Sequence, residues 1–205
     1  GGGTPSFINE NHIKDIIYIL KESFDIDKET EITIEVNPGT VNLEKLATYK
    51  KCGINRLSIG LQAVQDTLLK KIGRIHTYSD FLDTYKNARN VGFANINVDL
   101  MINLPLQTVK DVEESVKEII KLKPEHISVY SLIVEEETPI SKMLENKEIK
   151  LASDEEERKM YWLVKNILEK HKYIQYEISN FSKLGFESKH NLDCWNQEEY
   201  IGLRY

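Results

Sequence analysis

The sequence predicts an α/β fold around a parallel sheet, and three observations lead there. Segments with apolar residues at helical spacing take turns with segments in which apolar and polar residues alternate. Strands that alternate with helices in this rhythm call for a parallel sheet, closed as a barrel or doubly wound. Finally, one unit recurs: Gly53-Ile54-Asn55-Arg56-Leu57-Ser58-Ile59-Gly60-Leu61 and Gly92-Phe93-Ala94-Asn95-Ile96-Asn97-Val98-Asp99-Leu100 share a helix-ending glycine, a short loop and an alternating run. Repetition of one βα unit favours the barrel, although two unrelated βα units can converge on this pattern.

Taken in order, Ile13, Ile16, Ile17, Leu20 and Phe24 predict an amphipathic helix over residues 9–24. In Glu31–Asn37 the β-branched residues alternate with polar ones, a strand closed by Pro38-Gly39. Leu43–Lys51 reads as a helix capped by Gly53, Arg56–Gln62 as a second strand, and Tyr78–Val91 as a helix ended by Gly92. Asn95–Met101 is a third strand. Thr108 with Asp111 caps a helix whose face is Val109, Val112, Val116, Ile119 and Ile120, and a fourth strand spans Ile127–Val134. Ser153 with Glu156 forms a capping box for a helix reaching His171, so the acidic run Asp154–Glu157 reads as its solvated first turn.

The 205 residues are 40% hydrophobic and 29% charged, with a formal net charge of −6. This suffices for a core and excludes wholesale disorder; the length suits one large domain or a piece of a larger protein. No uninterrupted apolar run is longer than Ile16–Leu20, far below the ~20 residues of a membrane span, so no integral membrane segment is expected. The acidic balance argues against nucleic acid as a partner. Cys52 and Cys194 are too far apart in sequence for a disulfide framework or a clustered metal site, and a cytoplasmic setting is expected. Gly1-Gly2-Gly3-Thr4-Pro5 at the start and Leu203-Arg204-Tyr205 at the end lead us to expect a fragment.

Strand parity carries functional information. Thr33, Glu35 and Asn37 oppose Ile32, Ile34 and Val36; Ser58, Gly60 and Gln62 oppose Leu57, Ile59 and Leu61; Asn97, Asp99 and Met101 oppose Ile96, Val98 and Leu100. If the apolar faces pack on helices, the polar faces line the barrel interior, with Glu35, Gln62 and Asp99 toward the C-terminal ends of their strands, where barrel enzymes keep their sites. Carboxylates buried without partners are costly, which points to a polar ligand. The plainer alternatives are pairing with lysines, or edge strands with one wet face. On residues alone, a metal-independent lyase or isomerase using Glu35 and Asp99 as acid and base is a further reading. His12, His76, His126 and His171 read as ordinary hydrogen-bonding histidines, and Trp162, Trp195 and Tyr200 as core or as a stacking surface.

The order of Gly1-Gly2-Gly3-Thr4-Pro5, Glu35-Val36-Asn37-Pro38, Arg56-Leu57-Ser58-Ile59-Gly60-Leu61-Gln62, Asn97-Val98-Asp99-Leu100-Met101 and Leu104-Pro105 resembles the radical S-adenosylmethionine proteins related to oxygen-independent coproporphyrinogen III oxidase. The resemblance implies a partial (β/α)6 TIM-like barrel lacking its N-terminal strand and cluster loop. It also implies S-adenosyl-L-methionine and a [4Fe-4S] cluster held by a CxxxCxxC loop, here outside the chain. Residues 1–150 would be the barrel core, and 151–205 the last barrel helix and strand with the start of a C-terminal region. Gly2, Gly3 and Thr4 would meet the methionine end of the cofactor, and Glu35 and Asp99 its ribose and polar groups. Gln62 and Arg74 would complete the polar site, Arg74 by pairing with a carboxylate, and Ile133 would line the apolar side. Two cysteines cannot replace the cluster loop, so the chain alone is expected to bind no cluster and to be inactive.

Tyr176-Glu177-Ile178-Ser179-Asn180-Phe181 and His190-Asn191-Leu192-Asp193-Cys194-Trp195 look like the HemW-type haem chaperone branch, with Cys194 where that branch usually has tyrosine. That branch implies haem as ligand, His190 as its candidate residue and an apo-haemoprotein as recipient. The other branch implies oxidative decarboxylation of coproporphyrinogen III to protoporphyrinogen IX.

Overall fold

The computed structural model describes residues 4–202. Strands β1 (Thr33–Val36), β2 (Arg56–Gln62), β3 (Asn95–Ile102) and β4 (His126–Ser131) run parallel and in sequence order. Helices α1 (Glu10–Ser23), α2 (Leu43–Cys52), α3 (Asp66–Lys71), α4 (Tyr78–Val91) and α5 (Val109–Leu122) precede or link them, and α6 (Pro139–Glu145) and α7 (Asp154–Lys170) follow β4. The sequence locates β2 and α4 to the residue, and both glycine caps are as expected: Gly53 and Gly92 end α2 and α4 at φ 103° and 95°, a left-handed conformation open to glycine at little cost. Capping boxes at Thr108/Asp111 and Ser153/Glu156 start α5 and α7, and a third, Thr77/Asp80, starts α4.

One face of the sheet is apolar and covered by helices. Ile34, Val36, Leu57, Ile59, Ile96, Val98, Ile127 and Val129 pack with Leu46 and Tyr49 of α2, Phe81 of α4, Val112 and Val116 of α5 and Val164 of α7 in a single core. At about 1.5–3 kcal/mol for each fully buried large apolar side chain, this face is the main source of stability. The other face carries the polar set that parity predicts.

Two features depart from a simple run of parallel βα units. First, the β2–β3 register steps from Gly60↔Asp99 to Gln62↔Leu100, a bulge that leaves Gln62 at φ 76° with its side chain on the inner face, where parity places it. Second, the chain does not return from α7 as another parallel strand. A hairpin of β5 (Ile174–Gln175) and β6 (Asn180–Ser182) adds β6 antiparallel to β4, giving the order β1-β2-β3-β4-β6-β5. A short helix, α8 (Lys189–Trp195), follows. Neither the hairpin nor α3, α6 and α8 is foreseen by the periodicity analysis, since none is long enough to show it.

Phe81 is fully buried, and Phe81→Ala is expected to lower unfolding free energy by about 3–5 kcal/mol, whereas Thr108→Ala at a helix cap is expected to cost about 1 kcal/mol. Urea unfolding of the two variants beside the parent checks the ranking.

Candidate functional site

At the C-terminal ends of the parallel strands, Thr4, Glu35, Asn37, Gln62, Arg74 and Asp99 line a cavity of about 220 Å³, together with Ser58, Gly60 and Tyr130. A second cavity of about 360 Å³ shares Glu35, Ser58, Asp99 and Tyr130 with it. This one extends along the inner face to Glu31, Thr33 and Arg56 at the N-terminal ends of β1 and β2, and to Ser188, His190 and Asn191 at the start of α8. The polar face of the sheet is thus one lumen with an upper and a lower part.

In the upper part, Arg74 donates from Nη1 to Asn37 Oδ1 at 3.0 Å, and the Asn37 amide donates to Thr4 Oγ1 at 3.1 Å. Among the described residues the partner of the Arg74 guanidinium is this amide. Tyr130 donates to Gln62 Oε1 at 3.1 Å. Gly60 keeps this corner open, because a Cβ there would stand 3.1 Å from Gln62 Nε2 and 3.4 Å from Asn37 Oδ1. Asp99 accepts from Asn97 Nδ2 at 2.6 Å and from Ser58 Oγ at 3.2 Å. Burial pushes its carboxyl up to about 6; the Asn97 and Ser58 bonds oppose the rise and nearby Glu35 adds to it.

The middle of the floor is a connected network. The Asn97 amide nitrogen faces Ser58 and Asp99, so its oxygen faces His126 Nδ1 at 2.7 Å. An amide oxygen only accepts, so Nδ1 carries the imidazole proton and Nε2 accepts from the Tyr176 hydroxyl, also at 2.7 Å. Burial, and then the charge of Arg56, push His126 down to about 3, which keeps it neutral. Ser128 bridges Asn97 and Asn180, at 3.1 and 2.6 Å. Tyr176 Oη in turn accepts from the Ser188 N–H at 3.2 Å and from Asn191 Nδ2 at 3.4 Å. Glu31 accepts from Ser188 Oγ and from the Lys189 N–H at 3.3 and 3.1 Å, fixing α8 under β1.

Of the residues singled out in the sequence, Thr4, Glu35, Gln62, Arg74 and Asp99 come together in the upper cavity; Gly2 and Gly3 lie outside the described residues. Ile133 does not join them. β4 ends at Ser131, and Ile133, 78% exposed, lines a separate groove with Ile72, Ile140 and Met143. His190 lines the lower cavity; its Nε2 lies 3.8 Å from Cys194 Sγ and its ring stands edge-on to Tyr200. Trp195 and Tyr200 are exposed beside it, while Trp162 sits on the outer surface of α7. Arg56, Ser128, Tyr130, Tyr176, Ser188 and Asn191 were not picked out as site residues. Extending parity to His126, Ser128 and Tyr130 on β4 would have found two of them.

Cys52 and Cys194 are free and sit on α2 and α8, and among the described residues no three His, Cys, Asp or Glu side chains converge on one point. No helix of the described residues is long and apolar enough to cross a membrane.

A parallel α/β half-barrel with its polar side chains gathered at the C-terminal ends of the strands defines a ligand-binding barrel. The chain belongs to the radical SAM superfamily, whose family model matches residues 1–119. Across 99% of its length it is 44% identical to the heme chaperone HemW of Bacillus subtilis and 32% identical to that of Escherichia coli. It spans about half of these relatives, 54% and 53% of their lengths. Among solved structures, coproporphyrinogen III oxidase (HemN) from Escherichia coli, a radical SAM enzyme, superimposes with a TM-score of 0.78 at 25% identity over 96% of this chain and 44% of that one. An archaeal Elp3 from Methanocaldococcus infernus superimposes with a TM-score of 0.68 at 22% identity, covering 82% of this chain and 44% of the other, a likeness of fold.

Asp99 titrates at about 6 in the folded chain against an ordinary 3.8, so the native state holds this proton more tightly than the unfolded state. Its contribution to stability is full below pH ~4 and is lost as pH rises to ~6. Asp99→Asn is expected to flatten that part of the stability curve, as measured by urea unfolding at a series of pH values. Tyr176→Phe is expected to speed amide hydrogen exchange in residues 188–195 by about tenfold or more while leaving β2 and β3 protected, as read by mass spectrometry.

Proposed function

We propose that this chain is the S-adenosylmethionine-binding barrel of a haem chaperone, a cytoplasmic protein that holds haem and passes it to apo-haemoproteins. The observation that carries this reading is the single polar lumen: five residues expected at the cofactor converge at its upper end, and His190 and Asn191 stand at its lower mouth. Likeness to proteins named heme chaperone HemW, extending over 99% of the chain, supports the same assignment.

The upper cavity fits a ligand with a carboxylate, an amine and ribose hydroxyls. Arg74, held only by a neutral amide, is free to turn to a carboxylate and form a charge-assisted bond. Asp99 and Glu35 supply acceptors for hydroxyl groups, and Asp99 does so fully once it gives up its proton. Gly60 leaves room for the ligand to reach the floor. Together with a reduced [4Fe-4S] cluster, S-adenosylmethionine supplies 5′-deoxyadenosyl radical chemistry. The two cysteines of this chain stand on separate helices and do not fit the cluster, whose ligands we assign to a segment outside it. In the lower part, His190 offers an imidazole to haem iron, beside the exposed rings of Trp195 and Tyr200.

A second reading, oxygen-independent coproporphyrinogen III oxidase, is favoured by the superposition on HemN. The complete protein, reconstituted without oxygen and given coproporphyrinogen III, S-adenosylmethionine and an electron donor, separates the two. Saturable haem binding without porphyrin product is the expected result, and protoporphyrinogen formed in step with 5′-deoxyadenosine would make it an oxidase. In the same protein, His190→Ala is expected to weaken haem binding about tenfold. Asp99→Asn is expected to weaken S-adenosylmethionine binding by at least about tenfold, and Ile133→Ala by less than about twofold, as measured by equilibrium dialysis.

A further inference from the structure

Arg56 is the unexplained charge of this molecule. It opens β2 on the inner face and is 5% exposed, yet among the described residues its guanidinium makes no ion pair or hydrogen bond, and its Nε is buried without a partner. Tyr49 Oη, Asn95 Oδ1 and Ser182 Oγ are also buried and unpartnered, but they belong to neutral groups. Arg56 alone of the four lines the lumen, at its lower end. A buried cation with no counter-charge costs several kcal/mol on general grounds, and a planar guanidinium is relieved best by a bidentate oxyanion.

The surroundings select the anion. His126, close enough for the Arg56 charge to act on it, is neutral and adds no charge. Glu31 is held by Ser188 and Lys189 of α8, while Glu35 and Asp99 lie further up the wall; among the described residues none of the three pairs with Arg56, and together they set a negative background. That background disfavours a dianion and admits a singly charged group. The lower cavity, about 360 Å³, has space for a ligand side arm.

We infer that the lower lumen is a carboxylate-binding subsite in which Arg56 receives the carboxylate of a ligand entering past His190. Resting on the haem reading above, that group is a haem propionate, and Arg56 holds it while His190 faces the macrocycle. Arg56 acts here as a binding residue, apart from the upper cavity.

Two measurements test this, one of them independent of haem. In the first, the melting midpoint of the chain is followed in sodium propionate and in sodium chloride at equal ionic strength. The parent midpoint is expected to climb with propionate, as for any ligand that binds only the native state, and the Arg56→Gln midpoint to respond no more than it does to chloride. Equal responses in parent and variant, no response in the parent, or a stronger response to phosphate than to propionate would overturn the assignment. If Arg56→Gln does not fold, Arg56→Lys keeps the charge without the fork and is expected to lose most of the propionate response; a full response would overturn it. In the second, haem and its dimethyl ester are titrated. The parent is expected to prefer the diacid about tenfold or more, and the variant to lose that preference. Equal binding of both by the parent would remove the propionate contact. Binding of neither porphyrin alongside a clear propionate response would leave the subsite standing and refute the haem reading.

Discussion

The neutral imidazole of His126 is the interaction on which the inner architecture depends. Its Nδ1 proton goes to Asn97 and its Nε2 receives the Tyr176 hydroxyl, so one ring joins the floor of the sheet to the C-terminal segment. The direction of the proton sets everything on either side. It turns the Asn97 amide nitrogen toward Ser58 and Asp99, where it opposes the upward pull of burial on that carboxyl. It also leaves Tyr176 Oη able to accept from Ser188 and Asn191, which seats α8. A charged imidazole could not accept from Tyr176, and burial keeps that form from arising.

The second constraint is the period of two along the strands. Because one face must be apolar to bury against α2, α4, α5 and α7, every second residue is free to be polar, and Thr33, Glu35, Ser58, Asn97, Asp99 and Ser128 project into the same lumen. The site is therefore a by-product of sheet packing in position, though not in chemistry. At the bulge Gly60–Gln62 the register with β3 slips, yet Gln62 keeps the inner-face place that alternation assigns it.

Much of this was legible in the sequence where the signals were long and local. The alternation in Glu31–Asn37, Arg56–Gln62 and Asn95–Met101 located three strands and the face of Glu35, Gln62 and Asp99. Thr108 with Asp111 and Ser153 with Glu156 marked helix starts, because a side-chain cap is a contact three residues long. What could not be read was set by distance in the chain. The Arg74 contact with Asn37, the Tyr176 contact with His126 and the antiparallel return of Asn180–Ser182 join residues 37 or more positions apart, and no local period encodes them. The end of β4 at Ser131, two residues before Ile133, is likewise set by pairing with β3 and not by any local period.

The clasp between Glu31 and α8 has a kinetic meaning. Its bonds, from Ser188 and Lys189, close loops of more than 150 residues, while the sheet beneath is built from neighbouring βα units. Closing such a loop in an unfolded chain forfeits far more entropy than two surface bonds return, so the clasp can form only after β1 and β4 already stand in place. The lower mouth of the lumen is thus assembled late, on a sheet whose own pairings are already made.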